Sequence, residues 1–368
     1  MRLFKFKRFW LILLLPLSAG LLRLASKYPQ YVERFYTRGL YRGLSGTIGR
    51  FTSLFPFSVS TSLVFLAVGG FLVWLIRKGI QFRRAPVKVL RDRKRLNFSR
   101  GIATFCGVAG SLYFIFVLFC GLNYQRLTFA EQSGLEVHPS SAEELAALCT
   151  DLVEEANTLR AQLPEDETGV MTLQTPVHQL AKQARALYPS VAEEYPVLAG
   201  YVARPKPTLF SRGMSWLNIT GIYISFTFEA NVNVDVLDYT IPATMMHEMS
   251  HSKGYMREDE ANFIAYLTCK YSGNPVFQYS GVMLALSHSG NALYKADSDL
   301  YYEVMENLSD QVRADRAANS AYWKQFEGPV AEVSTTVNDV YLKSNLQQSG
   351  VKSYGEMVDL LLAEFRRG

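Results

Sequence analysis

Two stretches of the sequence, each long enough to cross a lipid bilayer, contain no charged residue. They are residues 58–76 (SVSTSLVFLAVGGFLVWLI) and residues 101–123 (GIATFCGVAGSLYFIFVLFCGLN). An α-helix of about 20 apolar residues spans the hydrocarbon core, and the helices of water-soluble proteins seldom stay uncharged over that length. Both stretches are therefore predicted to be transmembrane helices.

A third apolar stretch lies near the N-terminus. Residues 9–22 are apolar, and Arg2, Lys5, Lys7 and Arg8 precede them. Fourteen apolar residues after a basic start are typical of a signal peptide, but a short anchor over residues 9–25 fits equally. The sequence leaves both interpretations open, and the orientation of the following chain is the same in either case.

The orientation follows from the loop between the two long stretches. Residues 77–100 carry ten Lys or Arg residues and a single acid, Asp92. Short basic loops stay on the cytoplasmic side of the membrane. Residues 23–57 also carry six basic residues, so the charge bias is not one-sided. The balance predicts that the chain beyond Tyr124 is extracytoplasmic, in a multi-pass membrane protein.

Charge divides the chain into two modules. Residues 1–123 contain 20 basic and 2 acidic residues, which leaves 18 basic and 31 acidic residues for the remainder. The excess of basic residues therefore accompanies the apolar stretches, and the overall charge of +5 gives no support to nucleic-acid binding. We expect a membrane region over residues 1–123 and a separate domain over residues 124–368.

The second module is predicted to be mostly helical with one small sheet, so the fold class is a membrane-anchored α+β protein. Trp216–Phe228 is rich in Ile, Tyr, Thr and Phe, which favours a strand. Residues 204–207 (RPKP) predict a surface connection, and the four cysteines predict buried thiols. Helical patterns cover residues 140–163, 177–187, 191–202, 241–253, 258–271, 276–294, 298–326, 329–346 and 354–366.

One predicted helix contains the sequence His247-Glu248-Met249-Ser250-His251, an HExxH motif. Histidines at positions i and i+4 lie on one helix face and can bind the same zinc ion. The glutamate between them is placed to activate a water molecule at the metal. Gly254 permits a tight reversal after the helix. The motif therefore predicts a zinc site with Glu248 as the general base.

A catalytic zinc ion needs a third protein ligand, and the next predicted helix offers two. Glu258 shares a face with small residues that permit close packing, whereas Glu260 shares its face with large apolar residues. We favour Glu258 and keep Glu260 as the alternative. Asn262, one turn further, is placed to accept a hydrogen bond from His247 Nδ1 and orient that ring. Arg257 stands where a metzincin would have its third histidine.

These residues belong to a longer pattern that resembles a known family. The segment HEMSHSKGYMREDEANFIAYL, residues 247–267, is similar to the core of the DUF3810 family of membrane-anchored bacterial proteins. The similarity extends to Phe210-Ser211, Gly221-Ile222-Tyr223, residues 226–233 (FTFEANVN), Tyr279-Ser280-Gly281, residues 341–344 (YLKS) and Ser353-Tyr354-Gly355.

The metal core of that family is similar to the gluzincin peptidases. The resemblance implies a zincin-like domain in which His247, His251 and Glu258 bind one Zn²⁺ ion and Glu248 is the general base. The sequence departs from the gluzincin pattern in two ways: it has Asn262 where many gluzincins have Asp, and its connection from His251 to Glu258 is short. The function it implies is a membrane-anchored zinc metalloendopeptidase, acting on a peptide or protein segment near the membrane or in the envelope.

Two other functions remain open at this stage. A zinc ion closed off by a fourth ligand, Glu260 or Asp259, would indicate a non-catalytic sensor or scaffold domain of the bacterial envelope. A chance HExxH motif would leave a scaffold protein without a metal. The segment Gly221–Phe228 is predicted either to bind substrate as an edge strand or to be a core strand. The polar residues that follow it are expected in a solvated loop, with the lining of the cleft or the binding of a second cation as the alternatives; they are Glu229, Asn231, Asn233 and Asp235.

Overall fold

The computed structural model describes residues 3–84, 87–345 and 357–367, which form a mostly helical structure with one small mixed sheet. Residues 346–356, which include the family-like segment Ser353-Tyr354-Gly355 and the predicted start of the last helix, lie outside the described residues. The helices up to the last predicted span are α1 (Leu14–Lys27), α2 (Pro29–Tyr31), the π-helical segment Val32–Tyr41, α3 (Arg42–Thr52), α4 (Val59–Arg84) and α5 (Val87–Phe119).

Among the described residues, three helical segments are long and apolar enough to cross a membrane, as predicted. They cover Lys7–Lys27, Val59–Ile80 and Phe98–Phe119, close to the expected 9–25, 58–76 and 101–123. The first and third segments pack closely, because a Cβ added at Gly107 or Gly110 would lie within 2.5 Å of a backbone oxygen of the first segment. Small residues permit such close approach between membrane helices.

The segment that connects the first two apolar helices, residues 28–57, packs against the C-terminal half. The Tyr41 hydroxyl donates a hydrogen bond to the carbonyl of His251 at 3.1 Å, and the Ser45 hydroxyl donates to the carbonyl of Ser252 at 2.8 Å. This connecting segment therefore satisfies the C-terminal carbonyls of the HExxH helix. These residues were expected to belong to the membrane region, so their contact with the HExxH helix was not predicted from the sequence.

The C-terminal half is built from helices around one apolar core. The helices are α6 (Phe129–Ser133), α7 (Ala142–Arg160), α8 (Val177–Leu187), α9 (Ser211–Trp216), α10 (Ile241–Ser252), α11 (Glu258–Lys270), α12 (Pro275–Ala296), α13 (Ser298–Met305), α14 (Asp310–Lys324), α15 (Pro329–Ser344) and α16 (Met357–Phe365). Helix α12 lies at the centre, packed against α7, α11 and α10. The four cysteines are free thiols, three of them buried, as expected.

Most helix predictions are confirmed, and two local predictions are wrong. Ser141 caps α7 by accepting a hydrogen bond from the Glu144 amide. Residues 191–202 form short 3-10 turns instead of a helix, because Pro196 interrupts the pattern. The predicted helix 298–326 is two helices, since the chain turns after Met305 and Ser309 caps a new helix.

The sheet has the strand order β1-β3-β2, with β1 at Lys206–Pro207, β2 at Gly221–Ile224 and β3 at Glu229–Val232. Strand β1 is parallel to β3, and β2 is antiparallel to it in the register Ile222 opposite Asn231. The strand predicted over 216–228 is therefore confirmed only over Gly221–Ile224. Helix α9 ends at Trp216, and a turn after Ile224 reverses the chain into the central strand.

Three of the polar residues that were expected in a solvated loop are instead buried at the central strand β3, so this prediction is wrong as well. Glu229, Asn231 and Asn233 are at most 2% exposed. Glu229 pairs with Lys206 Nζ at 2.5 Å, and its two carboxylate oxygens accept hydrogen bonds from the first amides of α4, Val59 N and Ser60 N. The predicted surface connection at residues 204–207 thus carries a buried lysine. The Glu229 carboxylate therefore fixes the start of α4, the second apolar helix, to the sheet.

Replacing Glu229 by Gln tests that link. The change leaves the Lys206 ammonium buried without a counter-charge, so we expect a loss of about 3 kcal/mol of stability. Thermal unfolding of the full chain in detergent, followed by circular dichroism, measures the effect. Asp339→Asn, at the exposed Lys343–Asp339 pair, is the control and should change the midpoint little. An equal, small shift for both variants would contradict the proposed role of Glu229.

Candidate metal centre

Helix α10 presents the HExxH motif from a buried position. Pro242 occupies the first turn, where no amide is needed, and the Ala243 amide donates to the hydroxyl of Ser280 on α12. His247 and His251 follow one turn apart on the same face, with their ring centroids 4.7 Å apart. The helix thus brings two imidazoles to the wall of a cleft.

Each imidazole has one nitrogen already engaged. His247 Nδ1 lies 2.7 Å from the amide oxygen of Asn262, and His251 Nδ1 lies 2.7 Å from the backbone carbonyl of Tyr255. Both acceptors require the Nδ1 atoms to carry the protons, which leaves the Nε2 atoms as free electron-pair donors. The two Nε2 atoms are 3.1 Å apart and face the same point.

Glu258 reaches that point from the first turn of α11. Its carboxylate oxygens lie 3.2 Å from His247 Nε2 and 3.8 Å from His251 Nε2. Gly254, whose φ of +87° suits glycine, turns the chain between the two helices, as the sequence predicted. One ligand atom from each of the three side chains lies within 4.8 Å of the others.

This donor set fits a zinc ion. Two neutral imidazole nitrogens and one carboxylate are the ligands that catalytic zinc sites use, with a fourth position left for water or substrate. In the metal-free site, burial works against a charge on His247, but the hydrogen bond and charge of Glu258 raise its pKa to about 9. Burial lowers the pKa of His251 to about 4. Without a metal, the Glu258 carboxylate is therefore the counter-ion of a protonated His247. A bound metal ion would take the place of that proton.

The alternative ligands lie elsewhere. Glu260 is buried, and its carboxylate accepts a hydrogen bond from the Phe129 amide at 2.7 Å and faces Arg257 at 3.4 Å. It fixes the start of α6 and does not join the two histidines. Among the described residues, Asp259 is not part of the cluster that could hold a metal ion.

Glu248 is buried beside the cluster. It is 4% exposed, its Oε2 atom has no hydrogen-bond partner among the described residues, and burial raises its pKa to about 8. Gly221, the first residue of β2, lies against it, because a Cβ there would fall 2.3 Å from Glu248 Oε1. The absence of a side chain at Gly221 lets the strand approach the carboxylate.

The cluster lies in a cleft of about 920 Å³. Strand β2 and its flanking residues form one wall, and residues of α12, α14 and α15 form the opposite side. His288 of α12 also lines this cleft. Tyr341 of α15 and Cys120, which directly follows the third apolar helix, also line the cleft and were not predicted there. Tyr341 belongs to the family-like segment 341–344, but its place in the cleft depends on packing between distant parts of the chain.

Comparison with known proteins places the chain in a family. The family model described as "Protein of unknown function (DUF3810)" matches residues 36–362, so the chain belongs to this family. The match begins inside the connecting segment, so it includes the part that packs on α10. No curated protein and no solved structure matches the chain significantly.

The proton on His247 predicts how metal binding depends on pH. Below pH 9 the metal-free site holds this proton, and zinc must displace it. Apparent zinc affinity, measured against a competing chelator, should rise about tenfold per pH unit from about pH 6.5 to about pH 8.5. An affinity that is independent of pH over this range would contradict the assigned His247–Glu258 pairing.

Proposed function

We propose that this member of the DUF3810 family is a membrane-anchored zinc-dependent metallopeptidase. The observation that carries the proposal is the convergence of His247, His251 and Glu258 on one point, with the buried carboxylate of Glu248 beside them. These four groups are the ones that a zinc-dependent hydrolase uses: three ligands, which leave one coordination position open, and one general base.

In the proposed mechanism, His247, His251 and Glu258 hold the zinc ion, and the Asn262 amide keeps the His247 ring in its ligating orientation. When bound, zinc supplies a Lewis acid for the attacking water and the scissile carbonyl. Glu248 accepts the proton of that water and delivers it to the leaving amine.

The shape of the cleft supports a peptide substrate. Strand β2 is an edge strand, paired with β3 on one side only, and its residues line the cleft. An extended peptide can add to such an edge through backbone hydrogen bonds, which would place a peptide bond near the metal cluster. This supports the edge-strand interpretation of Gly221–Ile224 over that of a core strand.

The positive-inside argument gives the proposed location. The basic residues 77–100 would lie in the cytoplasm, and the C-terminal half and the connecting segment would lie outside it. Their mutual contacts fit this arrangement, because both must then lie on the same side of the membrane.

A non-catalytic zinc domain is less well supported. A closed structural site needs four protein ligands, and the cluster in the described part of the chain has three. Glu260, the strongest candidate for a fourth, is held by the Phe129 amide.

Glu248→Gln tests the catalytic proposal. The amide cannot accept the water proton, so peptide hydrolysis should fall by at least about 100-fold. Bound zinc, measured by mass spectrometry, should stay at the wild-type level because the ligands are untouched. Screening a peptide library with the full chain in detergent provides the rate, and unchanged hydrolysis would refute the assigned role.

Gly221→Ala provides an independent check of the same group. The new methyl group must displace the Glu248 carboxylate, so activity should fall while zinc is retained. Gly43→Ala is the matched control, since a Cβ at that helical glycine meets nothing within 4 Å. Equal activity of the two alanine variants would contradict the placement of Glu248.

A further inference from the structure

A set of large apolar side chains near the cleft is largely exposed. We call it the apolar rim, and it consists of Leu209, Phe210, Val330, Val333, Val337 and Val340. Leu209 is 97% exposed, and the four valines are 53–63% exposed. Single exposed apolar residues are common, but several of them along one helix face mark an interaction surface.

The valines form a stripe along α15. Their spacing of three, four and three residues places them on one face of the helix. By this spacing the charged residues Glu332 and Asp339 lie on the same helix away from the stripe, and Lys343 flanks its C-terminal end, three residues after Val340. Helix α15 is therefore amphipathic with its apolar face outward, which is the arrangement of a helix lying in a membrane interface.

Two ring contacts tie the rim to the apolar helices. The Phe210 ring packs against Phe65, with centroids 6.1 Å apart. Phe65 lies six residues inside α4, which begins at Val59, so this contact is roughly 9 Å along that helix. Leu209, next to this contact, is thus at the depth of the hydrocarbon if α4 spans a membrane.

The second contact involves the third apolar helix. The ring of Tyr341, adjacent to Val340, packs edge-on against Phe116 with centroids 6.1 Å apart. Phe116 lies three residues before the end of α5 at Phe119, or roughly 4.5 Å inside the helix. Phe210 of the rim and Tyr341, the neighbour of Val340, therefore each contact a predicted transmembrane helix within its apolar segment.

We propose that the apolar rim is immersed in the lipid bilayer, so that the cleft opens at the membrane surface. The occupant of the rim is lipid because Phe210 of the rim and Tyr341 beside it contact two helices that are predicted to cross the bilayer. Val337 belongs to both the rim and the cleft wall, so the mouth of the cleft borders the bilayer.

This arrangement restricts the substrate, a step that rests on the proposed function. A cleft that opens onto lipid favours a polypeptide segment held at the membrane by an acyl chain or by a span of its own. A freely diffusing peptide has no such advantage, because tethering to the surface raises the effective concentration at the mouth.

Quenching by spin-labelled lipid tests the rim directly. The full-length variants Leu209→Cys and Val333→Cys carry an environment-sensitive fluorophore and are reconstituted into phosphatidylcholine vesicles with nitroxides on the acyl chains. Glu332→Cys is the matched control, one residue away on the polar side of α15. The unsubstituted chain, labelled in the same way, gives the background from the four native cysteines.

We expect quenching at positions 209 and 333 to exceed that at position 332 at least twofold. Equal quenching at all three positions would overturn the proposal and leave a second copy or another protein as the occupant. Retained thermal unfolding midpoints establish that the labelled variants are folded.

A second measurement tests the substrate class separately. One peptide that the chain cleaves is presented to the vesicles with and without an attached palmitoyl chain. The acylated form should be cleaved at least tenfold faster, and equal rates would overturn the inference about substrate. Strong quenching without hydrolysis of either peptide would refute the proposed function and leave the membrane-facing rim in place.

Discussion

The candidate site depends on two imidazole rings whose Nδ1 atoms are both occupied. Asn262 and the carbonyl of Tyr255 hold these rings in place, so both Nε2 atoms face Glu258. Without those acceptors the rings could rotate, and the three donors would not converge. Helix α11 carries both Asn262 and Glu258. The close packing of α11 against α10 therefore supplies the third ligand, Glu258, and also the hydrogen bond that orients His247.

The membrane region and the site form one structural unit. Arg126, just beyond the third apolar helix, donates to Glu33 of the connecting segment at 2.7 Å and to the carbonyl of Lys253 after α10. Glu229 joins the sheet to the start of α4 in the same way. Because these buried charged groups cross between the two halves, residues 124–368 alone would expose unpaired polar groups, and experiments should use the full chain.

The sequence predicted what short-range patterns encode. The HExxH spacing placed two histidines on one face, and Gly254 marked a chain reversal that the structure has. The burial of Glu229 was not predictable in this way. Its partners are Lys206 and the amides of α4 some 170 residues earlier in the chain, so the run looked like a solvated loop. The contact of the connecting segment with α10 was missed for the same reason.

The central claim is that His247, His251 and Glu258 bind one metal ion, and metal content measures it most directly. Mass spectrometry of the full chain in detergent, after zinc reconstitution, should find one zinc ion per chain. The ion should be lost in His251→Ala and Glu258→Ala and kept in Glu260→Gln, which retains an acceptor for the Phe129 amide. A wild-type chain without zinc, or a Glu258→Ala variant that keeps it fully, would contradict the account.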